Sequence, residues 1–385
     1  MKTISVFTST RAEYCLLYNL IKRINNAEDL KLDLIVSGTH LSYKYGHTID
    51  EIYKDGFPIS ETIEILDEKE DVDEAISKAL IGSSGHFKRV NPDMLIVLGD
   101  RYEVLGPVIA AANAKIPIAH IHGGETTEGA VDEAIRHAVT KFSYLHFTGC
   151  EEYKKRVLQL GETEDRVFNV GTLGTENIMN QPLMTLEELG KNLDINNLKL
   201  EKYGLVTFHP VTLEHEDASI QMKELMDAML SFEDMFFIVT KSNADAGGQK
   251  INDMWDEFEK KYPNKIKVVF SLGLIRYLSA MKYCEAVIGN SSSGILEAPV
   301  MRVPTINIGD RQKGRIQTES IINCGMNKNE IISAMNKAFS KEFHDKIKDM
   351  PCIYGDGKTS ERIIEKIRES FEKGIDLKKK FNDIY

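Results

Sequence analysis

The chain has 385 residues, of which 42% are hydrophobic, and its formal net charge is −11. This length is more typical of two domains than of one, and the acidity argues against non-specific binding to nucleic acid or acidic membranes. Five cysteines are scattered without a CxxC pair, which favours reduced thiols in a cytoplasmic protein. Arg11 and Glu13 interrupt the N-terminal apolar run too early for a signal sequence, and no uncharged stretch is long enough for a membrane span.

Short apolar runs alternate with amphipathic segments along the first half of the chain. Six runs are predicted to be strands: TISVFTS, LKLDLIVSG, DMLIVLGD, IPIAHIHGG, YLHFTG and VFNVG. Helical patterns such as EYCLLYNLIKRI and VLGPVIAAANAK lie between them. Near-continuous apolar strands separated by helices indicate a parallel sheet that is covered on both faces.

The alternation lapses between Thr172 and Tyr203, and five further strands follow: GLVTFHP, MFFIVTKS, IKVVFSLG, AVIGNSS and PTINIGD. We therefore predict an α/β protein with two doubly wound, Rossmann-like domains, residues 1–175 and 176–358, facing across a cleft. A C-terminal helix within 359–385, capped by Thr359 or Ser360, is expected to cross back to the first domain. Ligands of such sheets bind at the carboxyl ends of the strands, so the cleft is the expected site.

Polar residues cluster where the predicted strands end. In the first half they are Arg11, His40, GDRYE (99–103) and IPIAHIHGGETTEGAVDEAIRHAVTK (116–141). In the second half they are His209, KSNAD (241–245), GNSSSG (289–294) and GDRQKGR (309–315). Because a fold needs no ionisable groups at these positions, we treat the clusters as candidates for a functional site.

GNSSSGILEAP has the features of an anion-binding turn. Its small residues allow close approach of the backbone, and its successive N–H groups open the next helix. Glu297 follows about one helical turn later, where it could accept hydrogen bonds from a ribose diol. A serine N-cap is the alternative interpretation. Arg311, Lys313 and Arg315 favour a diphosphate, since they place three cations at a nearby strand end.

The segment 116–141 is the candidate for acid–base chemistry. Asp100 alone would most often be a helix N-cap. A neighbouring strand, however, supplies further titrating groups: His120, His122, Glu125, Asp132 and Glu133. Crowding in a cleft raises some carboxyl pKa values toward neutrality, as general acid–base catalysis requires. Asp132 and Arg136 lie one helical turn apart, on the same side.

Motifs for metals and cofactors are missing from the sequence. His120 and His122 alternate on one strand, but no HExxH or Cys–His set accompanies them. YGDGKTS has Cys352 where a phosphate loop needs its first glycine, and no GxGxxG follows the first strand. We therefore expect neither a metal nor a cofactor.

Eight segments, in order, resemble the hydrolysing UDP-N-acetylglucosamine 2-epimerases of sialic and related nonulosonic acid biosynthesis. They are TSTRAEY, GTHLSYKYGHTIDEI, VLGDRYE, HIHGGETTEGAVDEAIRHAVTK, FHPVT, SNADAG, IGNSSSG and INIGDRQKGR. The resemblance implies a two-domain fold of the GT-B type. It also implies elimination of UDP from a UDP-sugar to give a 2-acetamidoglucal, followed by hydration that releases N-acetylmannosamine. No cofactor is implied, and the expected assembly is a homodimer or homotetramer.

The resemblance also implies roles for individual residues. Asp100, Asp132, Arg136 and His209 correspond to active-site positions. Many relatives carry glutamate where this chain has His122, so either His122 takes over that acid–base role or Glu125 reaches the same space. The residues implied in binding UDP or lining the cleft are Arg11, Asn243, Ser291, Ser292, Glu297 and Arg311.

The sugar is less determined than the reaction. We take UDP-N-acetylglucosamine as the expected substrate, with UDP- or GDP-linked 2,4-diacetamido-2,4,6-trideoxyglucose, as in legionaminic acid pathways, as the alternative. Three other functions stay open: a non-hydrolysing 2-epimerase, a GT-B glycosyltransferase, and a regulator that binds nucleotide sugars without turnover. The many titratable groups at strand ends argue against the regulator.

Overall fold

The structure is a computed structural model, and it describes residues 1–66, 71–126, 131–209, 218–241 and 248–383. The chain divides into two compact units, one formed by Met1–Asn177 with Tyr354–Tyr385 and the other by Ile178–Ile353. Each unit is built around one parallel sheet with helices on both faces, so the predicted α/β class is confirmed. Within the described ranges, no helix has the length and apolarity to cross a membrane.

In its described residues, the first unit contains seven strands. They are β1 Lys2–Thr8, β2 Leu30–Ser37, β3 Ile59–Ile63, β4 Met94–Leu98, β5 Ile118–Ile121, β6 Leu145–Thr148 and β7 Val167–Asn169. Their order in the sheet is β3-β2-β1-β4-β5-β6-β7. The helices that accompany them are α1 Arg11–Asn25, α2 Ile49–Lys54, α3 Val72–Val90, α4 Leu105–Asn113, α5 Val131–Phe142, α6 Glu151–Gln159 and α7 Leu173–Asn180.

Strand β4 shows how this sheet is buried. Met94, Ile96 and Leu98 join the core on one face, while Leu95 and Val97 join the core on the other. This follows from the two-residue period of a strand, and it explains why a strand covered on both faces has a continuous apolar sequence. Since β1 pairs with both β2 and β4, the winding direction reverses between β1 and β4.

The described part of the second unit contains six strands. They are β8 Tyr203–Thr207, β9 Phe236–Thr240, β10 Ile266–Val269, β11 Ala286–Gly289, β12 Thr305–Ile308 and β13 Ile321–Cys324. Their order is β10-β9-β8-β11-β12-β13, so the reversal lies between β8 and β11. The helices are α8 Leu186–Leu193, α9 Ala218–Leu230, α10 Gly248–Lys261, α11 Gly273–Tyr283, α12 Ser292–Leu296, α13 Lys328–Ala338 and α14 Lys341–Ile347.

The last helix, α15 Thr359–Lys373, packs against α1 in the first unit. The predicted cap is wrong, because Lys358 is the N-cap residue and Thr359 and Ser360 lie inside the helix. The Ser360 N–H donates instead to a carboxylate oxygen of Glu176 at 2.6 Å, and its hydroxyl donates to the other oxygen at 2.6 Å. A carboxylate from α7 therefore satisfies the helix start, which local sequence could not reveal.

Candidate active site

His120 is fixed in the first unit as a neutral hydrogen-bonding residue. Its Nε2 donates to the carbonyl oxygen of Gly99 at 2.9 Å, so its Nδ1 is left to accept from the Thr140 hydroxyl at 3.3 Å. Burial lowers the pKa of His120 to about 3. It therefore holds the end of β4 against β5 as a neutral imidazole, and it is not one of the proton-transferring groups.

The turn after β5 places His122 beside Glu125. His122 has a left-handed backbone with φ 68°, and Gly124 has φ 81°. A Cβ atom on Gly124 would lie 2.3 Å from the carbonyl oxygen of Tyr153, so α6 packs directly against the turn and only glycine fits. His122 Nδ1 is 3.4 Å from a Glu125 carboxylate oxygen. The two candidates for one acid–base role are thus neighbours.

Arg136 organises the carboxylates around this turn, and its side chain is only 2% exposed. It forms an ion pair with Asp100 and a second with Glu133 at 2.5 Å, and it donates to the Glu125 carbonyl oxygen at 2.7 Å. Burial alone would lower the pKa of Arg136, but the Asp100 and Glu133 carboxylates together outweigh it and raise that pKa. Helical spacing allows both Asp132 and Glu133 to approach Arg136. Among the described residues, Glu133 is the carboxylate of this helical turn that pairs with Arg136.

Asp100 does not cap a helix. The 3-10 helix Tyr102–Val104 that follows has Arg101 as its N-cap, so the Asp100 carboxylate is left for Arg136.

Arg11 is the first residue of α1, with a 64% exposed side chain whose Nε lies 3.1 Å from Glu51. Arg11 and Asp100 follow β1 and β4, the two strands that flank the reversal point.

Arg156 supports the same turn from α6, and sequence reasoning missed it. Its Nη1 donates to the carbonyl oxygen of Gly124 at 3.2 Å and to the hydroxyl of Thr126. Arg136 and Arg156 therefore hold adjacent residues of the turn from two different helices. No local pattern pointed to Arg156, because about thirty residues separate it from the turn it contacts.

The second unit contains a pocket of about 440 Å³ at the ends of its central strands. Three predicted site residues, His209, Ser291 and Glu297, line it. Its other lining residues are Thr207, Thr240, Lys241, Phe270, Ser271, Leu272, Gly273, Leu274, Tyr277 and Ser293. Asn243 lies outside the described residues.

Arg311 and His209 both contact Asn290, which was overlooked within the GNSSSG motif. The His209 N–H donates to the Asn290 side-chain oxygen at 2.8 Å, and Arg311 Nη1 donates to the Asn290 carbonyl oxygen at 3.0 Å. Lys313 is 80% exposed and lies 3.6 Å from Asp310. The three predicted cations are thus not equivalent.

The GNSSSG turn contains the serine N-cap that was the alternative interpretation of its sequence. Ser291 is the N-cap of α12 and accepts from the Ser293 N–H at 3.4 Å, and α12 begins at Ser292 and is only five residues long. Burial raises the pKa of Glu297. Tyr277, whose pKa burial raises to about 12, lies 2.5 Å from the Ser293 hydroxyl. A neutral phenol and a desolvated carboxyl therefore line the pocket beside the cap.

Residues 22–368 match the family model described as UDP-N-acetylglucosamine 2-epimerase. The match spans most of the chain. This chain belongs to the UDP-N-acetylglucosamine 2-epimerase family. The resemblance drawn from the eight motifs is thereby confirmed.

Two curated relatives of this epimerase-family chain are similar over most of their length. The GDP/UDP-N,N'-diacetylbacillosamine 2-epimerase (hydrolyzing) of Campylobacter jejuni is 42% identical over 346 residues, covering 89% of this chain and 88% of the relative. Polysialic acid biosynthesis protein P7 of Escherichia coli is 40% identical over 347 residues, covering 89% and 88%. The crystal structure of UDP-GlcNAc 2-epimerase from Neisseria meningitidis bound to UDP-GlcNAc has a TM-score of 0.79 at 17% identity, covering 96% of this chain and all of that one. This last likeness shows a shared fold.

Proposed function

We propose that this chain is a hydrolysing 2-epimerase of a nucleotide-linked 2-acetamido sugar. A base takes the proton from C2 while the nucleoside diphosphate leaves from C1, which gives a 2-acetamidoglucal. Water then adds at C1 and a proton returns to C2 on the opposite face. The products are the nucleoside diphosphate and the free manno-configured sugar.

The observation that carries this proposal is the cluster around Arg136. Arg136 pairs with the Asp100 carboxylate and donates to the Glu125 backbone, so these groups lie together at the carboxyl end of the sheet. His122 lies beside Glu125. Removal and return of a proton on opposite faces of one carbon require two acid–base groups in fixed positions. In this proposal Asp100 is one of them, and His122 or Glu125 is the other.

The second unit would bind the nucleotide. Phe270 and Leu274 are 80% and 50% exposed on the same pocket that Glu297 lines, which suits packing against the flat face of a nucleobase beside a ribose diol. Arg311 would stabilise the departing diphosphate. The C2 proton is not activated by a carbonyl group, so its removal depends on departure of the diphosphate in the same step or slightly ahead.

We propose N,N'-diacetylbacillosamine, linked to UDP or GDP, as the sugar, because the 42% identical Campylobacter relative is named for it together with hydrolysis. This sugar is the alternative of the sequence analysis, 2,4-diacetamido-2,4,6-trideoxyglucose, and the name of that relative is our reason for proposing it first. UDP-N-acetylglucosamine is the second candidate. It is favoured by the description of the family and by the 40% identical relative named for polysialic acid biosynthesis.

Both sugars are tested in one experiment. The protein is incubated in heavy water with UDP- or GDP-linked N,N'-diacetylbacillosamine and with UDP-N-acetylglucosamine, and the products are identified by NMR. A free manno-configured sugar with deuterium at C2, together with free nucleoside diphosphate, is the expected result. A nucleotide-linked product would mean a non-hydrolysing epimerase, and retention of the C2 proton would mean a glycosyltransferase. Nucleotide affinity without turnover would mean a regulator.

A further inference from the structure

We infer that Asn290 is a positioning residue that fixes His209 and Arg311 relative to each other, an inference that rests on the proposed function. Asn290 follows β11, and His209 follows β8, so the two residues face each other across the reversal point of the second sheet. The side chain of Asn290 is fully buried. It is therefore placed as a link between two elements, and not as a surface residue of the turn.

The amide group of Asn290 pairs with both backbone groups of His209. Its oxygen accepts from the His209 N–H at 2.8 Å, and its nitrogen donates to the His209 carbonyl oxygen at 2.8 Å. This paired arrangement fixes the backbone from which the His209 side chain projects. Alanine would leave both backbone groups of His209 without these partners, and aspartate could satisfy only the N–H while ionised.

The backbone of Asn290 makes the second connection. Its carbonyl oxygen accepts from Arg311 Nη1 at 3.0 Å and from Gln312 Nε2 at 2.8 Å, and its N–H donates to the carbonyl oxygen of Thr207 at 3.3 Å. The cation proposed for the diphosphate is thus oriented by the same residue that holds the histidine. A displacement of Asn290 would move both, and errors of about 1 Å at such groups cost about 100-fold in rate.

The test compares Asn290→Ala with Asn307→Ala, a control at a buried asparagine of the neighbouring strand β12, whose amide donates to Asn323 at 2.8 Å. Calorimetry measures UDP affinity, and thermal melting measures folding. Steady-state kinetics with the substrate found for the wild type gives kcat and KM. Asn290→Ala is expected to weaken UDP binding at least tenfold and to lower kcat at least tenfold. Asn307→Ala is expected to change UDP affinity and kcat by less than threefold each, even if its melting temperature equals or falls below that of Asn290→Ala.

A pH series on Asn290→Asp separates positioning from a merely structural role. When protonated, the introduced carboxyl offers one donor and one acceptor, as the amide does, and burial raises its pKa. The ratio of variant to wild-type UDP affinity is therefore expected to rise as the pH falls. UDP itself titrates in the same way in both measurements, so the ratio of the two affinities cancels that effect. If Asn290→Ala does not fold, the pH series on Asn290→Asp alone tests the inference.

Two results would overturn the inference: Asn290→Ala indistinguishable from Asn307→Ala in kcat and UDP affinity, or a ratio for Asn290→Asp that does not change with pH. A wild-type protein that neither binds UDP nor converts any of the sugars would instead refute the proposed function, and the inference would fall with it.

Discussion

The carboxylate of Asp100 forms an ion pair with the guanidinium of Arg136, a side chain that is only 2% exposed. Asp100 comes from the end of β4 and Arg136 from α5, so the pair joins two elements at the carboxyl edge of the sheet. Burying a lone guanidinium would be costly, but the neighbouring Asp100 and Glu133 carboxylates compensate for it. The ion pair thereby fixes the position of the carboxylate proposed to transfer protons.

Asp100→Asn is expected to lower kcat at least 100-fold, because an amide cannot accept the proton from C2. UDP affinity should stay within threefold of the wild type, since the proposed diphosphate ligands belong to the second unit. Single-turnover kinetics and calorimetry measure the two effects. Glu133→Gln removes the ion pair between Glu133 and Arg136. This control shows how much of the loss in kcat comes from disturbing that arginine. An unchanged kcat in Asp100→Asn would exclude Asp100 from the chemistry.

Arg311→Ala is expected to weaken UDP binding by more than tenfold, as the loss of a charge-assisted contact does. Lys313→Ala is the matched control. It removes a cation two residues away whose side chain is 80% exposed and lies near Asp310, so its effect should be less than twofold. Calorimetric titration with UDP measures both. Equal affinities for Arg311→Ala and the wild type would show that the diphosphate binds elsewhere.

The fold was predictable from sequence wherever a strand is buried on both faces. MLIVL in β4 and FFIVT in β9 are continuous apolar runs with no exposed position. The prediction missed β3 and β13, which are edge strands of their sheets. In β3 the residues Ser60 and Glu61 break the apolar run, and β13 contains the exposed Asn323. An edge strand buries fewer of its side chains, so its sequence lacks the signal that identifies an interior strand.

The candidate site was predictable in its titratable groups and in Arg136, but not in two further residues that support it. Asp100, His122 and Glu125 stand out because they cluster with other titratable groups at neighbouring strand ends. Arg156 and Asn290 act through contacts with backbone atoms far away in sequence, and such contacts have no local spacing rule. The ion-pair partner of Arg136 could not be chosen from sequence for a related reason. Helical spacing allows both Asp132 and Glu133, and only tertiary packing selects between them.

The group of Asp33, His86 and Glu61, in which Asp33 and His86 are buried and Glu61 is 28% exposed, is expected to make stability depend on pH. His86 Nε2 lies 2.9 Å from Asp33 and its Nδ1 lies 3.0 Å from Glu61, so both ring nitrogens face carboxylates. Burial alone would lower the pKa of His86, but these carboxylates outweigh it and raise that pKa. The charged imidazole therefore stabilises the folded state fully below pH 6.5, the usual value for histidine. The stabilisation is lost as the pH rises through the raised pKa.

The measurement is the difference in free energy of unfolding between the wild type and His86→Gln, followed by urea denaturation at several pH values. The difference is expected to shrink as the pH rises above 6.5, by about 1.4 kcal/mol for each unit by which folding raises the pKa. His47→Gln, at a partly exposed histidine that lies 3.2 Å from Asp50 on the surface, serves as the control. A wild-type advantage that is constant from pH 6 to pH 9 would contradict the prediction.

Arg156→Ala is expected to lower kcat about tenfold or more while KM and UDP affinity change by less than twofold. The arginine donates to the Gly124 carbonyl oxygen and the Thr126 hydroxyl, so its loss frees the turn that carries His122 and Glu125. The described hydrogen bonds of Arg156 to this turn lie within the first unit, whereas the nucleotide is proposed to bind to residues of the second. Steady-state kinetics and UDP calorimetry separate the two effects.

Two further variants show whether the geometry of the turn is the cause. Arg156→Lys keeps one donor for the Gly124 carbonyl oxygen and should recover part of kcat, whereas Lys155→Ala, on the exposed side of the same helix, should leave kcat unchanged. A rise in KM with constant kcat would mean that Arg156 contributes to substrate binding. Equal losses in Arg156→Ala and Lys155→Ala would point to a general weakening of α6, because of these two side chains Arg156 is the one with hydrogen bonds to the turn.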